Sequence, residues 1–196
     1  MSSGMHLMEA LAVVRATRGK RDVVITTMAP ARDWMAMSKD ATGALDLVLV
    51  PSAMGQATSM GLGLALAQPD RRIIVCNGDG SMLMNLGSLV SVVAAAPRNL
   101  VVLVFDNGVY EVTGAQITPG AEAGVDFAAV ARACGFQSVF EFSEIEPWSN
   151  AIGNIFAAAG PTFVWLRVEP TLGVPGPKSP GPAADRSRRF IEALRL

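Results

Sequence analysis

Short apolar runs of strand length alternate with longer stretches of helical spacing along most of the chain, and this alternation limits the folds open to it. The runs lie at 22–26 (DVVIT), 45–50, 72–76, 100–105 (LVVLVF), 137–141 and 162–168. They do not alternate apolar with polar, so both faces of each strand are to be covered, as in a parallel sheet with helices on either side. The intervening segments predict helices over 7–18, over 31–38 after Pro30, over 56–67, from a cap at Ser81 to about 95, and over 126–134, 144–159 and 184–196. The expected fold is α/β, a three-layer α/β/α arrangement around a mainly parallel sheet, with residues 1–196 as one domain. Residues 170–183 form a Pro/Gly-rich surface segment before the last helix, with five prolines and three glycines between 170 and 182.

Composition narrows the function classes. Apolar residues make up 51% of the 196 and charged residues only 17%, an excess that suggests burial against another chain. The longest apolar run, 100–105, is far short of the ~18–20 residues of a membrane span, so no membrane segment is expected. Net charge is −1 with no basic stripe, which gives nucleic acid no footing. No basic segment leads into a long apolar run near the start, so a cytoplasmic location is expected. Cys76 and Cys134 lie far apart in apolar segments and read as core thiols. His6 is the single histidine, so a His triad or a His-based metal site cannot be built from this chain alone.

Two strands end in polar, glycine-containing loops, Asn77-Gly78-Asp79-Gly80-Ser81 and Asp106-Asn107-Gly108. In parallel sheets, ligands bind at the carboxyl ends of strands. Gly78 and Gly80 allow an anion to approach the backbone closely. A helix opening at Ser81 would offer free N–H groups to phosphate. Asp79 is a hard oxygen ligand, Asn107 supplies a second oxygen, and a carbonyl just beyond it a third. Two diphosphate oxygens and a water would complete an octahedral Mg²⁺ shell. Either loop alone is an ordinary turn sequence. The pair gains meaning from its spacing, 25 residues between Gly80 and Asp106, room for one helix and one strand.

Gly78-Asp79-Gly80 followed after that gap by Asp106-Asn107 resembles the cofactor motif of thiamine-diphosphate enzymes. The second element is usually Asn-Asn, and Asp106 is a variation that leaves Asn107 in place. The resemblance implies that Asp79, the Asn107 side chain and the Val109 carbonyl hold Mg²⁺, and that Gly78, Gly80, Ser81 and Tyr110 contact the cofactor. The run from Gly78 to Leu89, with Asp106-Asn107-Gly108-Val109-Tyr110, Thr113-Gly114 and Gln116, is most similar to sulfopyruvate decarboxylase β subunits and phosphonopyruvate decarboxylases. Upstream, Ser52-Ala53-Met54-Gly55 aligns with the segment whose bulky apolar residue bends the cofactor into a V. This implies Met54 as that wedge, with Ser52 offering a carbonyl to the aminopyrimidine. Thr27 falls at a diphosphate contact.

The resemblance covers only the diphosphate-binding half of such an enzyme. It implies a pyrimidine-domain α subunit as partner, in a dimer or heterotetramer-type assembly, because the glutamate that activates the cofactor belongs to the other half. Glu111, just past the metal loop where relatives often carry glycine, is the candidate catalytic acid or base; a solvated loop glutamate is its plainer reading. Arg32 and Lys39 read as surface charges by default. The implied activity is decarboxylation of a small acidic 2-oxoacid. A carboligase relative and a noncatalytic interaction subunit stay open. An unrelated nucleotide binder is disfavoured, since residues 22–32 contain no glycine for a phosphate fingerprint.

Overall fold

Successive residues of the central strand face opposite layers. In the computed structural model, which describes residues 5–38, 43–50 and 53–195, Ile74 and Cys76 point into one apolar cluster while Ile73 and Val75 point into the other. The first cluster lies under α1 (Leu7–Thr17), α2 (Met28–Met37) and α8 (Ile145–Ala157), and closes around Trp34 and Trp148. The second lies under α3 (Ala57–Ala67), α4 (Asp79–Leu83), α5 (Gly87–Ala95), α7 (Phe127–Cys134) and α9 (Ala183–Leu194). Both faces of the sheet are thus covered, and the three-layer α/β/α expectation holds.

The strands are β1 (Met5–His6), β2 (Val23–Thr27), β3 (Asp46–Leu49), β4 (Ile73–Gly78), β5 (Leu100–Asp106), β8 (Ser138–Phe142) and β9 (Thr162–Glu169). All pair in parallel, in the order β1-β9-β5-β4-β2-β3, and β8 lies beside the earlier part of β9 while β1 lies beside its end. Each of the six apolar runs became one of these strands within two residues of its expected bounds. No helix of the described residues is long and apolar enough to cross a membrane.

Four expectations change. The helix expected from Ser81 to about 95 is two helices, α4 and α5. The chain breaks at Met84–Leu86 because the Asn85 side chain donates to Gly55 O across the layer (2.9 Å), and the Ser88 hydroxyl turns back onto Asn85 O (2.6 Å). Ser81 therefore lies inside a five-residue helix capped by Gly78. Helix α2 starts at Met28, ahead of the expected 31, with Pro30 in the first turn, where its missing N–H costs nothing. The Asp106–Gly108 loop runs into a small antiparallel hairpin, β6 (Val109–Tyr110) with β7 (Gln116–Ile117), joined by a 3-10 turn at Glu111–Thr113. It is followed by α6 (Pro119–Ala123), whose cap is Thr118. Residues 170–182 carry no regular structure.

Candidate active site

The chain leaves β2 for β3 on one side, then returns across β2 to β4 on the other. That reversal opens a crevice at the carboxyl ends of β2 and β4, the place where open α/β sheets take ligands. A cleft of about 530 Å³ lies there. The start of α2 forms one wall, the Gly78–Ser81 turn a second, and the segment from Asn107 to Thr113 a third; Leu7, Phe105 and Val168 supply an apolar floor. Because β4 and β5 run in register, with Gly78 opposite Phe105, the two polar loops emerge side by side.

Asp79 is buried at the first residue of α4. Its Oδ2 accepts a hydrogen bond from the Thr118 hydroxyl (3.0 Å). Burial, and next the negative Asp106 beside it, push the Asp79 carboxyl up to about 7, against hydrogen bonds from Thr118 and the Gly80 N–H. None of the ion pairs among the described residues involves Asp79 or Asp106. Asp106 is held by Gly108 N–H (3.1 Å) and Trp165 Nε1–H (2.9 Å). The loop thus concentrates negative charge that no ion pair among the described residues offsets.

Asn107 Oδ1 accepts the Val109 N–H (3.0 Å), while its Nδ2 donates to Glu111 Oε1 (2.8 Å). Glu111 is not a solvated loop residue. Its side chain is 2% exposed and ion-paired to Arg32 Nη1 at 2.8 Å. Arg32 in turn holds Asp33 through Nε (2.7 Å). Burial works against the Arg32 charge, but the hydrogen bonds to Asp33 and Glu111 outweigh it and keep the guanidinium above its ordinary value. Arg32 therefore faces inward, contrary to its default as a surface charge, and Lys39 lies outside the described residues.

Residues 29–166 match the thiamine pyrophosphate enzyme family, in its C-terminal TPP binding domain. The chain belongs to this family. It is 46% identical over 142 residues to a phosphonopyruvate decarboxylase of Streptomyces viridochromogenes, covering 71% of this chain and 35% of that protein. It is 43% identical over 118 residues to the sulfopyruvate decarboxylase subunit beta of Methanothermobacter thermautotrophicus, covering 60% of each. The chain thus spans from about a third to three fifths of the length of these relatives. Among solved structures, a thiamine diphosphate-dependent 4-hydroxybenzoylformate decarboxylase of Rhodococcus jostii RHA1 superposes with a TM-score of 0.71 over 86% of this chain and 33% of its own, at 20% identity. That likeness concerns the fold.

The cleft brings together most of the residues expected in a TPP site. Met54, Gly78, Asp79, Gly80 and Ser81 line it from one side, and Asn107, Val109, Tyr110 and Glu111 from the other. Among the described residues no group of three His, Cys, Asp or Glu is disposed to hold a metal. The donors here are of another kind: one carboxylate, one amide oxygen and backbone carbonyls, a set that suits a hard cation sharing its shell with phosphate oxygens. A Cβ at Gly78 would meet nothing within 4 Å, so the turn leaves open space for an anion. At Gly80 a Cβ would lie 2.3 Å from Tyr110 Cε1, so that glycine makes room for the tyrosine ring. The residues fit the cofactor's diphosphate.

Two expected residues sit differently, and a third is not among the described residues. The Ser81 hydroxyl accepts the Gly55 N–H (3.0 Å) and so ties the Met54 segment to α4. Thr27 is fully buried at the end of β2, with no hydrogen-bond partner for its Oγ1, and does not line the cleft. Ser52 lies outside the described residues. Thr118 was missed. Its signal was legible as a helix cap, Thr118 before Pro119, but nothing local linked it to Asp79, 39 residues away.

Proposed function

We propose that this chain is a cytoplasmic, single-domain subunit that holds the diphosphate and Mg²⁺ of thiamine diphosphate in a 2-oxoacid decarboxylase. The observation that carries the reading is Asp79, a buried carboxylate with no ion pair among the described residues, beside Asn107 in one cleft at adjacent parallel strand ends. A divalent cation relieves the negative charge that Asp79 and Asp106 share. Asp79, Asn107 Oδ1 and the Val109 carbonyl would ligate it, Gly78 and Gly80 would admit the diphosphate, and Met54 would support the thiazolium. When bound, the cofactor supplies the electron sink for decarboxylation. The protein's part is to fix its position and exclude water from the apolar floor.

The similarity to phosphonopyruvate decarboxylases and to a sulfopyruvate decarboxylase β subunit supports a small 2-oxoacid with a second anionic group as substrate. The β-subunit relatives also support a separate α subunit that supplies the pyrimidine-binding domain. The test is co-purification from the native source, then an assay of CO₂ release with added thiamine diphosphate and Mg²⁺. The expected result is metal-dependent decarboxylation by the complex and not by this chain alone. Enzyme-like turnover by the isolated chain would remove the partner, and an inactive complex across 2-oxoacids would remove the activity.

A further inference from the structure

The sequence offers two readings of Glu111, a solvated loop glutamate and a local acid or base. Its surroundings suit another task. Oε2 is held by Arg32 Nη1, and Oε1 accepts two hydrogen bonds at 2.8 Å, from Asn107 Nδ2 and from the backbone N–H of Thr171. Both oxygens are thus engaged and the side chain is 2% exposed, which leaves little for proton transfer with a substrate. What this carboxylate touches is the Asn107 amide, the first helix after the switch point, and the start of the Pro/Gly-rich segment.

The Asn107 amide has two orientations, and its neighbours select one. As it stands, Oδ1 accepts the Val109 N–H and Nδ2 donates to Glu111. Turned over, Nδ2 would face the Val109 N–H, donor against donor. Oδ1 would face the Glu111 carboxylate at 2.8 Å, acceptor against an ionised acceptor. The charge on Glu111, fixed by Arg32, makes the second arrangement costly. We propose that Glu111 is a positioning residue: with Arg32 holding one oxygen, the other fixes the Asn107 amide so that Oδ1 is the atom presented to Mg²⁺, and pins Thr171 beside the site. This rests on the reading of Asp79 and Asn107 as a Mg²⁺-diphosphate site and explains how that site keeps an amide oxygen, rather than a nitrogen, turned to the metal.

The deciding variant is Asn107→Asp. A carboxylate is ordinarily the better Mg²⁺ ligand, so an unconstrained ligand position would bind as tightly or more tightly after this change. Facing Glu111, the new carboxylate meets like charge. The measurement is calorimetric binding of thiamine diphosphate, with and without Mg²⁺, to the full chain in its assembled form. Asn107→Asp alone is expected to lose Mg²⁺-dependent affinity by more than ~100-fold. The exchange Asn107→Asp with Glu111→Gln keeps size and total charge and lets the new amide donate to Asp, although that nitrogen then faces the Thr171 N–H, so it is expected to recover part of the loss, binding at least ~10-fold more tightly than Asn107→Asp alone. Glu111→Ala is expected to weaken the metal-dependent part by ~10–100-fold, the range seen when residues behind metal ligands are removed. Affinity without Mg²⁺ should hardly change.

Metal-dependent binding by Asn107→Asp equal to the parent overturns the positioning role. So does a double variant no better than the single one. If Asn107→Asp does not fold, as judged by near-UV circular dichroism, Glu111→Ala decides, and parent-like Mg²⁺ dependence there overturns the proposal. Absence of any Mg²⁺ dependence in the parent chain sinks the metal site itself, a result distinct from the others.

Discussion

Asp79 carries two opposed demands, and pH separates them. A carboxyl raised from 3.8 to about 7 by burial and by Asp106 keeps its proton in the metal-free folded chain over a range where the unfolded chain has lost it. Between those values the folded state binds more protons, so stability falls as pH rises toward 7 and does not recover above it. Asp79→Asn removes that dependence. The melting temperature of the metal-free variant should therefore equal or trail the parent near pH 4 and exceed it near pH 8, checked by thermal denaturation with chelator present. Metal needs the ionised carboxylate, so the same titration makes Mg²⁺ binding tighten as pH rises through about 7 and release a proton. Asp79→Ala should abolish metal-dependent cofactor binding with little loss of fold, and equal affinity in that variant would remove Asp79 as a ligand.

At the scale of elements, α3 shows how closely the site's scaffold is packed. Two of its glycines have opposite surroundings. A Cβ at Gly61 would lie 2.3 Å from Val75 Cγ2, inside the sheet contact, whereas one at Gly63 meets nothing within 4 Å. Alanine gains up to ~1 kcal/mol of helix propensity at either position, but overpacking costs ~1–3 kcal/mol. Val75 is fully buried on the central strand and cannot step aside. Gly61→Ala should thus lower the melting temperature and push α3, with the Met54 turn before it, off β4; Gly63→Ala should raise it. Chemical denaturation of both variants checks the sign. The same packing explains what the sequence could announce. The six main strands were legible because burial on both faces leaves an unbroken apolar run. The break between α4 and α5 was not, because apolar spacing continues through Met84 and Leu86 while the cause is an Asn85 bond to Gly55, 30 residues away. The hairpin strands, of two residues each, are too short to have a period. That the two polar loops end adjacent strands was legible from spacing, but the partnership of Glu111 with Arg32 spans 79 positions and has no local signature.

On the scale of the whole molecule, the apolar excess divides unevenly between inside and outside. The two clusters against the sheet absorb most of it. What remains exposed includes Met60 and Leu66 on α3, and Met84 and Val90 at and beside α5, with Leu66, Met84 and Val90 each more than half exposed. These adjacent helices belong to the layer that also carries α4, so this outward face neighbours the Gly78–Ser81 turn and the Met54 segment. A single exposed apolar side chain means little, but several on neighbouring helices mark a surface used in association. If the missing wall of the cofactor site comes from a partner, this face is where contact and catalysis are coupled. Charge placed there should then separate folding from assembly. Leu66→Glu with Val90→Glu should change chain stability by no more than ~0.5 kcal/mol for each substitution, as surface changes do, while burial of either carboxylate in an interface costs far more unless it is paired. Sedimentation velocity should show the variant failing to assemble with its partner, and cofactor affinity should fall with the assembled fraction although Asp79 and Asn107 are untouched. A variant that assembles as the parent does would move the interface to another face and leave the apolar residues of α3 and α5 unrelated to the site.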